Sequence, residues 1–202
     1  MNSLISFFKS IGLLLIVSFI MAVFSILTKN QVVAYFFTYF TSSFIFLFIY
    51  KDKLKNDLKN IGNDLNTKNI IIIVLFLVLS FISNIILVNM LNQEASNQEI
   101  AVSMLKSFPF LGIPAICLFA PFVEEIIYRL PYKKNWLSII ISTIVFTFAH
   151  ISNFSLIQMF FLIPYLFLSI SFSFAYFKNE NIILSTTTHI LNNLISVVLL
   201  LI

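Results

Sequence analysis

Charged residues are scarce in this sequence of 202 residues. Asp, Glu, Lys and Arg together make up 10% of the chain, whereas an ordinary soluble domain contains about a quarter. With 60% hydrophobic residues and a mean hydropathy of +1.03, the chain lacks the polar groups needed to cover its surface in water. This scarcity excludes a soluble globular domain and predicts an all-α protein embedded in the lipid bilayer.

Cysteine, histidine and arginine are rarer still. A single cysteine, Cys117, excludes an intrachain disulfide and a cysteine-based metal site. The chain has two histidines, His150 and His189, and one arginine, Arg129. The net charge of +4 comes mostly from lysines in the connections between apolar runs. That pattern orients a membrane protein and predicts no nucleic-acid partner.

Apolar runs long enough to cross a bilayer, about 20 residues each, recur along the chain. The predicted spans are Ser10–Leu27, Gln31–Tyr50, Ile70–Leu91, Phe108–Leu130, Trp136–His150, Leu156–Phe177 and Ile182–Ile202. The first lacks a basic start and a small-residue cleavage site, so we expect a retained span rather than a signal peptide. No repeat is visible, which predicts one integral membrane domain over 1–202.

Two polar segments separate these spans. Lys51–Asn69 places Leu54, Leu58, Ile61 and Leu65 at helical spacing, which fits an amphipathic helix on the membrane surface or a solvated loop. Asn92–Ser107 is expected to form a short interfacial helix.

Lysines are distributed unevenly between the two sides of the predicted bundle. Eight lie in the even-numbered connections, and three, Lys9, Lys29 and Lys106, are assigned to the other side. The positive-inside rule then predicts that the even connections are cytoplasmic and that both termini are outside. Heavy use of Phe, Ile, Asn and Lys favours an A/T-rich bacterial genome, and hence a multi-pass protein of a bacterial cell membrane.

The stretch Ala120–Leu130 carries two adjacent carboxylates inside an apolar run, where charged groups are costly and mark functional sites. Glu125 and Arg129 are four residues apart and share a helical face, so they can pair. Glu124 points elsewhere, on the face of Pro121 and Tyr128, without a local cation. A carboxylate so placed suits general acid or base chemistry.

Two further motifs follow in later spans. Phe146 and His150 are four residues apart, so the ring can orient the imidazole. His189 and Asn193 are also one turn apart and present two hydrogen-bond donors to one space, as oxyanion stabilisation requires. Together the motifs predict water activated by Glu124 and His150, with His189 and Asn193 holding the oxyanion.

EExxxR (Glu124, Glu125, Arg129), FxxxH (Phe146, His150) and HxxxN (His189, Asn193), in this order on successive apolar segments, resemble the CPBP family. This is the family of CAAX proteases and bacteriocin-processing enzymes, also called Abi. The resemblance covers about 108–202, the expected catalytic core.

The resemblance implies an intramembrane endopeptidase with Glu124 as catalytic base and His150, His189 and Asn193 as its partners. Tyr128 and Leu130 stand where many members have phenylalanine and glycine. The family has long been regarded as metal-dependent. Since no HExxH motif is present, we expect no metal, with zinc on Glu124, His150 and His189 as the alternative.

The expected partners are the bilayer and a peptide or membrane-tethered protein, for instance a bacteriocin leader, that reaches an active site opening towards the cytoplasm. Two other functions fit the residues. A non-catalytic bacteriocin immunity or regulatory protein could carry the same motifs without hydrolysis. A small proton-coupled transporter could use Glu124, His150 and His189 as a relay.

Overall fold

The computed structural model describes residues 2–64, 67–151 and 153–201, and every regular element in these ranges is helical. The elements are α1 (Asn2–Thr28), α2 (Gln31–Ile49), α3 (Lys51–Asp64), α4 (Thr67–Leu91), α5 (Ser96–Ser107), α6 (Pro109–Pro114), a π-helical segment (Ala115–Phe119), α7 (Ala120–Tyr128), α8 (Trp136–Phe148), α9 (Leu156–Phe160), α10 (Leu162–Phe177) and α11 (Ile182–Leu201).

The predicted membrane bundle is confirmed, with a difference in the fifth span. Six helical stretches are long and apolar enough to cross a bilayer, whereas α8 has 13 residues. At 1.5 Å per residue it extends about 20 Å, less than the 30 Å hydrocarbon layer. The described residues between α8 and α9, 149–151 and 153–155, are not in a regular helix, so His150 lies in the turn that follows α8.

The bundle has two distinct ends. One end, the lysine-rich end, contains α3 and residues 131–135 and 178–181. The opposite end, the α5 end, contains α5 and α9. At the α5 end, Gln158 accepts a hydrogen bond from the backbone N–H of Ser96 and donates to the carbonyl of Glu94. Within the described residues, the chain therefore crosses between the two ends seven times, so α1 begins and α11 ends at opposite ends of the bundle.

The prediction that both termini lie opposite the lysine-rich connections is wrong for the N-terminus. The Ser3 hydroxyl donates to Asn135 at 3.3 Å and lies 3.1 Å from the Ser138 hydroxyl, at the start of α8. Because seven crossings place the termini at opposite ends, Lys9 belongs to the lysine-rich end. This correction strengthens the lysine bias, since two lysines, Lys29 and Lys106, then remain for the other end.

Helix α3 is amphipathic, as predicted, but its docking is mainly polar. Leu54 is buried, Leu58 is 60% exposed, and Leu65 lies outside the described residues. Asp57 is 3% exposed, forms an ion pair with Lys53 at 2.6 Å and accepts the backbone N–H of Ile182 at 2.9 Å. An acidic side chain at that position complements the partial positive charge at the start of α11.

Candidate active site

Three side chains from three helical segments meet at one point in the bundle. The Oε2 atom of Glu124, in α7, lies 3.5 Å from Nε2 of His150 and 3.8 Å from Nε2 of His189. Glu124 and His150 are mostly buried, with 15% and 11% of their side chains exposed. The structure thus brings together the carboxylate and both imidazoles that the sequence singles out, and the turn after α8 carries His150 to the depth of Glu124.

The ring of His150 is fixed by its own segment. Its Nδ1 lies 2.7 Å from the carbonyl oxygen of Phe146, which can only accept a hydrogen bond, so Nδ1 carries a proton. The Phe146 ring stacks on the imidazole at 4.2 Å, and Tyr165 lies on it at 5.0 Å. In the neutral imidazole, Nε2 is therefore unprotonated and faces Glu124 as a hydrogen-bond acceptor.

His189 is oriented by the second carboxylate. Its Nδ1 lies 3.1 Å from Oε1 of Glu125, and its ring stacks on Phe172 at 4.3 Å. The hydroxyl of Ser185, one turn earlier in α11, donates to Oε2 of the same carboxylate. Because an ionised carboxylate can only accept, Nδ1 of His189 carries a proton and Nε2 points at Glu124.

Glu125 and Arg129 form the predicted pair, and both are fully buried. Nε of Arg129 lies 3.3 Å from Oε2 of Glu125, an ion pair without hydrogen-bond geometry. The two terminal nitrogens of the guanidinium instead donate hydrogen bonds to two serines. One donates to the hydroxyl and backbone carbonyl oxygens of Ser142 in α8, and the other donates to the same two groups of Ser169 in α10. The arginine therefore ties α7 to two neighbouring helices.

Tyr128 and Phe146 form the apolar support of this network. Tyr128 is 4% exposed and packs edge-on against Phe146 with ring centroids 5.5 Å apart. The guanidinium of Arg129 lies 4.9 Å above the same Phe146 ring, within the range of a cation–π contact. The Phe146 ring thus touches both the imidazole of His150 and the buried arginine.

Serines from other helices close the C-terminal end of α7, a feature that the sequence motifs do not indicate. Ser142 donates to the carbonyl of Tyr128 at 2.6 Å, and Ser10 in α1 donates to that of Ile127 at 2.8 Å. The last carbonyls of a helix have no partner within it, and inside a bilayer no water can supply one. These hydroxyls allow α7 to end while still buried.

Asn193 lies beside the site but is bound to the π-helical segment. The N–H of Ala120 bonds to the carbonyl of Ala115, five residues earlier. In that register the next donor would belong to residue 121, which is a proline without an N–H. The carbonyl of Ile116 thus has no helical partner, and Nδ2 of Asn193 donates to it at 2.9 Å.

A cavity of about 320 Å³ contains the three central side chains. It extends from Glu124 along α11 to Leu199 and Leu200, and towards α5, where Asn97 and Gln98 line it. Tyr35 of α2 and Tyr165 of α10 also line it, and no motif in the sequence indicates either residue. The cavity therefore opens towards the α5 end of the bundle, away from the lysine-rich end.

Within the described residues, no three His, Cys, Asp or Glu side chains are arranged to hold a metal ion. Glu124, His150 and His189, the set named for zinc, converge, but they do not form a ligand shell.

Comparison with known proteins gives one match. The family model described as type II CAAX prenyl endopeptidase Rce1-like matches residues 106–195. This range contains all three motifs, with Glu124, His150, His189 and Asn193, and it lies almost wholly within the predicted core at 108–202. No curated protein and no solved structure matches the chain significantly.

Proposed function

We propose that this protein, whose residues 106–195 match the family model described as type II CAAX prenyl endopeptidase Rce1-like, hydrolyses an amide bond with water activated by Glu124 and His150. The observation that carries the proposal is the approach of Oε2 of Glu124 to Nε2 of both imidazoles, at 3.5 and 3.8 Å, on the wall of a cavity. The substrate is a membrane-associated peptide or protein.

Glu124 is the general base in this mechanism. A water molecule bound between Glu124 and His150 donates one hydrogen bond to the carboxylate and one to Nε2 of His150. Glu124 takes a proton as the water oxygen attacks the substrate carbonyl, and it then gives that proton to the departing amine. The water adds OH to the acyl product and H to the amine, so the carboxylate is regenerated.

His189 stabilises the oxyanion. Its Nδ1 proton is committed to Glu125, so donation from Nε2 requires the imidazolium form, with both nitrogens protonated. Asn193 contributes its remaining Nδ2 hydrogen, since the other is used by the carbonyl of Ile116.

Glu125 and Arg129 act as positioning residues. Their ion pair and the hydrogen bonds to Ser142, Ser169 and Ser185 hold α7, α8, α10 and α11 in one register. A small displacement among these helices would separate Glu124 from the imidazoles, and catalytic groups lose much of their effect when displaced by about 1 Å.

Cleavage in water enriched in ¹⁸O tests this proposal. The purified protein in detergent, mixed with a peptide library, should produce peptides whose new C-terminal carboxyl group contains heavy oxygen, and Glu124→Gln should produce none. Equal product from both proteins would contradict the assignment. A bacteriocin immunity protein or a proton-coupled transporter would give no labelled product with either protein.

A further inference from the structure

The chemistry of the cavity wall indicates which part of a substrate the site can hold. Carboxamide side chains line it from its α5 end to Glu124: Asn84, Asn97, Gln98, Asn192 and Asn193. A carboxamide offers two donors and two acceptor positions, which match the alternating N–H and C=O groups of a peptide backbone. This row suits an extended chain without charge.

The carboxamides retain hydrogen-bonding capacity. Asn84 donates to Gln98 at 3.3 Å, Asn192 donates to Asn193 at 3.1 Å, and Asn97 bonds to Tyr165. Among the described residues, each of these carboxamides uses one or two of its four hydrogen-bonding positions, which are two donors and two acceptors. The remaining positions are available to a peptide backbone in the cavity, so a peptide that pairs them would be stabilised.

Lysine and arginine are absent from the described part of the same wall. Arg129 is fully buried and engaged by Glu125, Ser142 and Ser169. On α5, Glu99 and Lys106 are exposed and lie outside the lining.

A free C-terminal carboxylate would therefore find no lysine or arginine to pair with here. Desolvating a carboxylate without a cation or several donors is strongly unfavourable, and Glu124 would repel it. A carboxylate could approach an imidazole only by competing with Glu124 or Glu125, which already face both rings.

We propose that this site binds an extended, uncharged backbone that continues past the cleaved bond, and does not use the substrate's C-terminal carboxylate for recognition. The inference rests on the proposed hydrolysis but makes a separate claim about specificity. A peptidase that counts residues from the C-terminus must hold that carboxylate, whereas this cavity offers carboxamides that pair with backbone amides.

Three forms of one peptide mixture test the inference. Random ten-residue peptides of uncharged amino acids are prepared with a free carboxylate, with a C-terminal amide, or with four further residues. We expect values of kcat/KM that agree within about threefold. Gln98→Leu should raise KM for all three forms by roughly three- to tenfold with kcat unchanged, since one hydrogen bond is lost. The matched control Lys106→Gln should change neither constant.

A preference of tenfold or more for the free carboxylate would overturn the inference and leave the hydrolytic function intact. If no peptide is cleaved, the proposed function fails, and binding of the same mixtures to immobilised Glu124→Gln protein decides the specificity claim. Equal retention of the three forms supports it. Retention of the carboxylate form alone, or of no form, contradicts it.

Discussion

The Nδ2 atom of Asn193 donates to the carbonyl oxygen of Ile116 at 2.9 Å, across the gap between α11 and the π-helical segment that precedes Glu124. Pro121 leaves this carbonyl without a helical partner, and Asn193 supplies one. Since π-helical turns interrupt α-helices at many functional sites, this contact connects Asn193, a residue of the proposed site, to the local register of the helix that carries Glu124.

A double-mutant cycle tests that connection. Asn193→Ala leaves the Ile116 carbonyl unpaired inside the bilayer, and we expect a loss of about 1–3 kcal/mol in the free energy of unfolding. Pro121→Ala restores an N–H that can bond to Ile116. In the Pro121→Ala background, Asn193→Ala should therefore lower the free energy of unfolding by measurably less. Thermal unfolding in detergent measures both losses. Equal costs in both backgrounds would show that Pro121 does not free the carbonyl.

Arg129 should be essential for folding. Arg129→Ala leaves Glu125 as a buried charge without a cation, and we expect destabilisation of about 3–5 kcal/mol. Arg129→Lys should rescue little, because an ammonium group cannot reproduce the forked contacts to Ser142 and Ser169. The free energy of unfolding of each variant is measured beside that of the exposed control Lys133→Gln. An Arg129→Lys protein as stable as the wild type would show that the forked hydrogen bonds to Ser142 and Ser169 are not needed.

Phe146 should affect rate as well as stability. Its ring contacts His150, Arg129 and Tyr128, and each aromatic pair is worth about 0.5–1.5 kcal/mol. We expect Phe146→Leu to lower kcat by roughly tenfold, because the imidazole of His150 is no longer held by stacking. Phe148→Leu, a change at a ring that is 46% exposed, serves as the control. Equal values of kcat for both variants would show that Phe146 does not hold the imidazole of His150 in place.

Labelling from each side of the membrane tests the topology. Single cysteines are introduced in a Cys117→Ala background, and an impermeant maleimide is added from one side. Lys134→Cys should react from the cytoplasm, because nine of eleven lysines then lie on that side. Asn97→Cys, in the cavity's mouth, should react from the other side.

The cavity opens away from the lysine-rich end, so an active site open to the cytoplasm requires that the chain insert against its lysine bias. The labelling pattern decides between these two orientations. Reaction of Asn97→Cys from the cytoplasm would contradict the orientation that the lysines predict.

The sequence predicted the spans and the three motifs because apolar runs and helical spacing are local properties. It could not reveal Ser142, Ser169 or Ser185 as partners of the ion pair, because serines are scattered through these spans and their partners depend on how the helices rotate against each other. The partner of Asn193 was missed for a similar reason. The position of His150 in the turn after α8, with Nε2 3.5 Å from Glu124, could not be predicted from the apolar composition of the span, which continues as far as His150.

The rate of Glu124→Gln on a peptide that the wild-type protein cleaves tests the central claim most directly. This change keeps the size of the side chain and removes the base, and a general base contributes about 10²- to 10⁴-fold. We expect kcat to fall by that factor with thermal unfolding unchanged, while Glu99→Gln, at an exposed carboxylate on α5, keeps full activity. A Glu124→Gln protein that retains wild-type kcat would contradict the account.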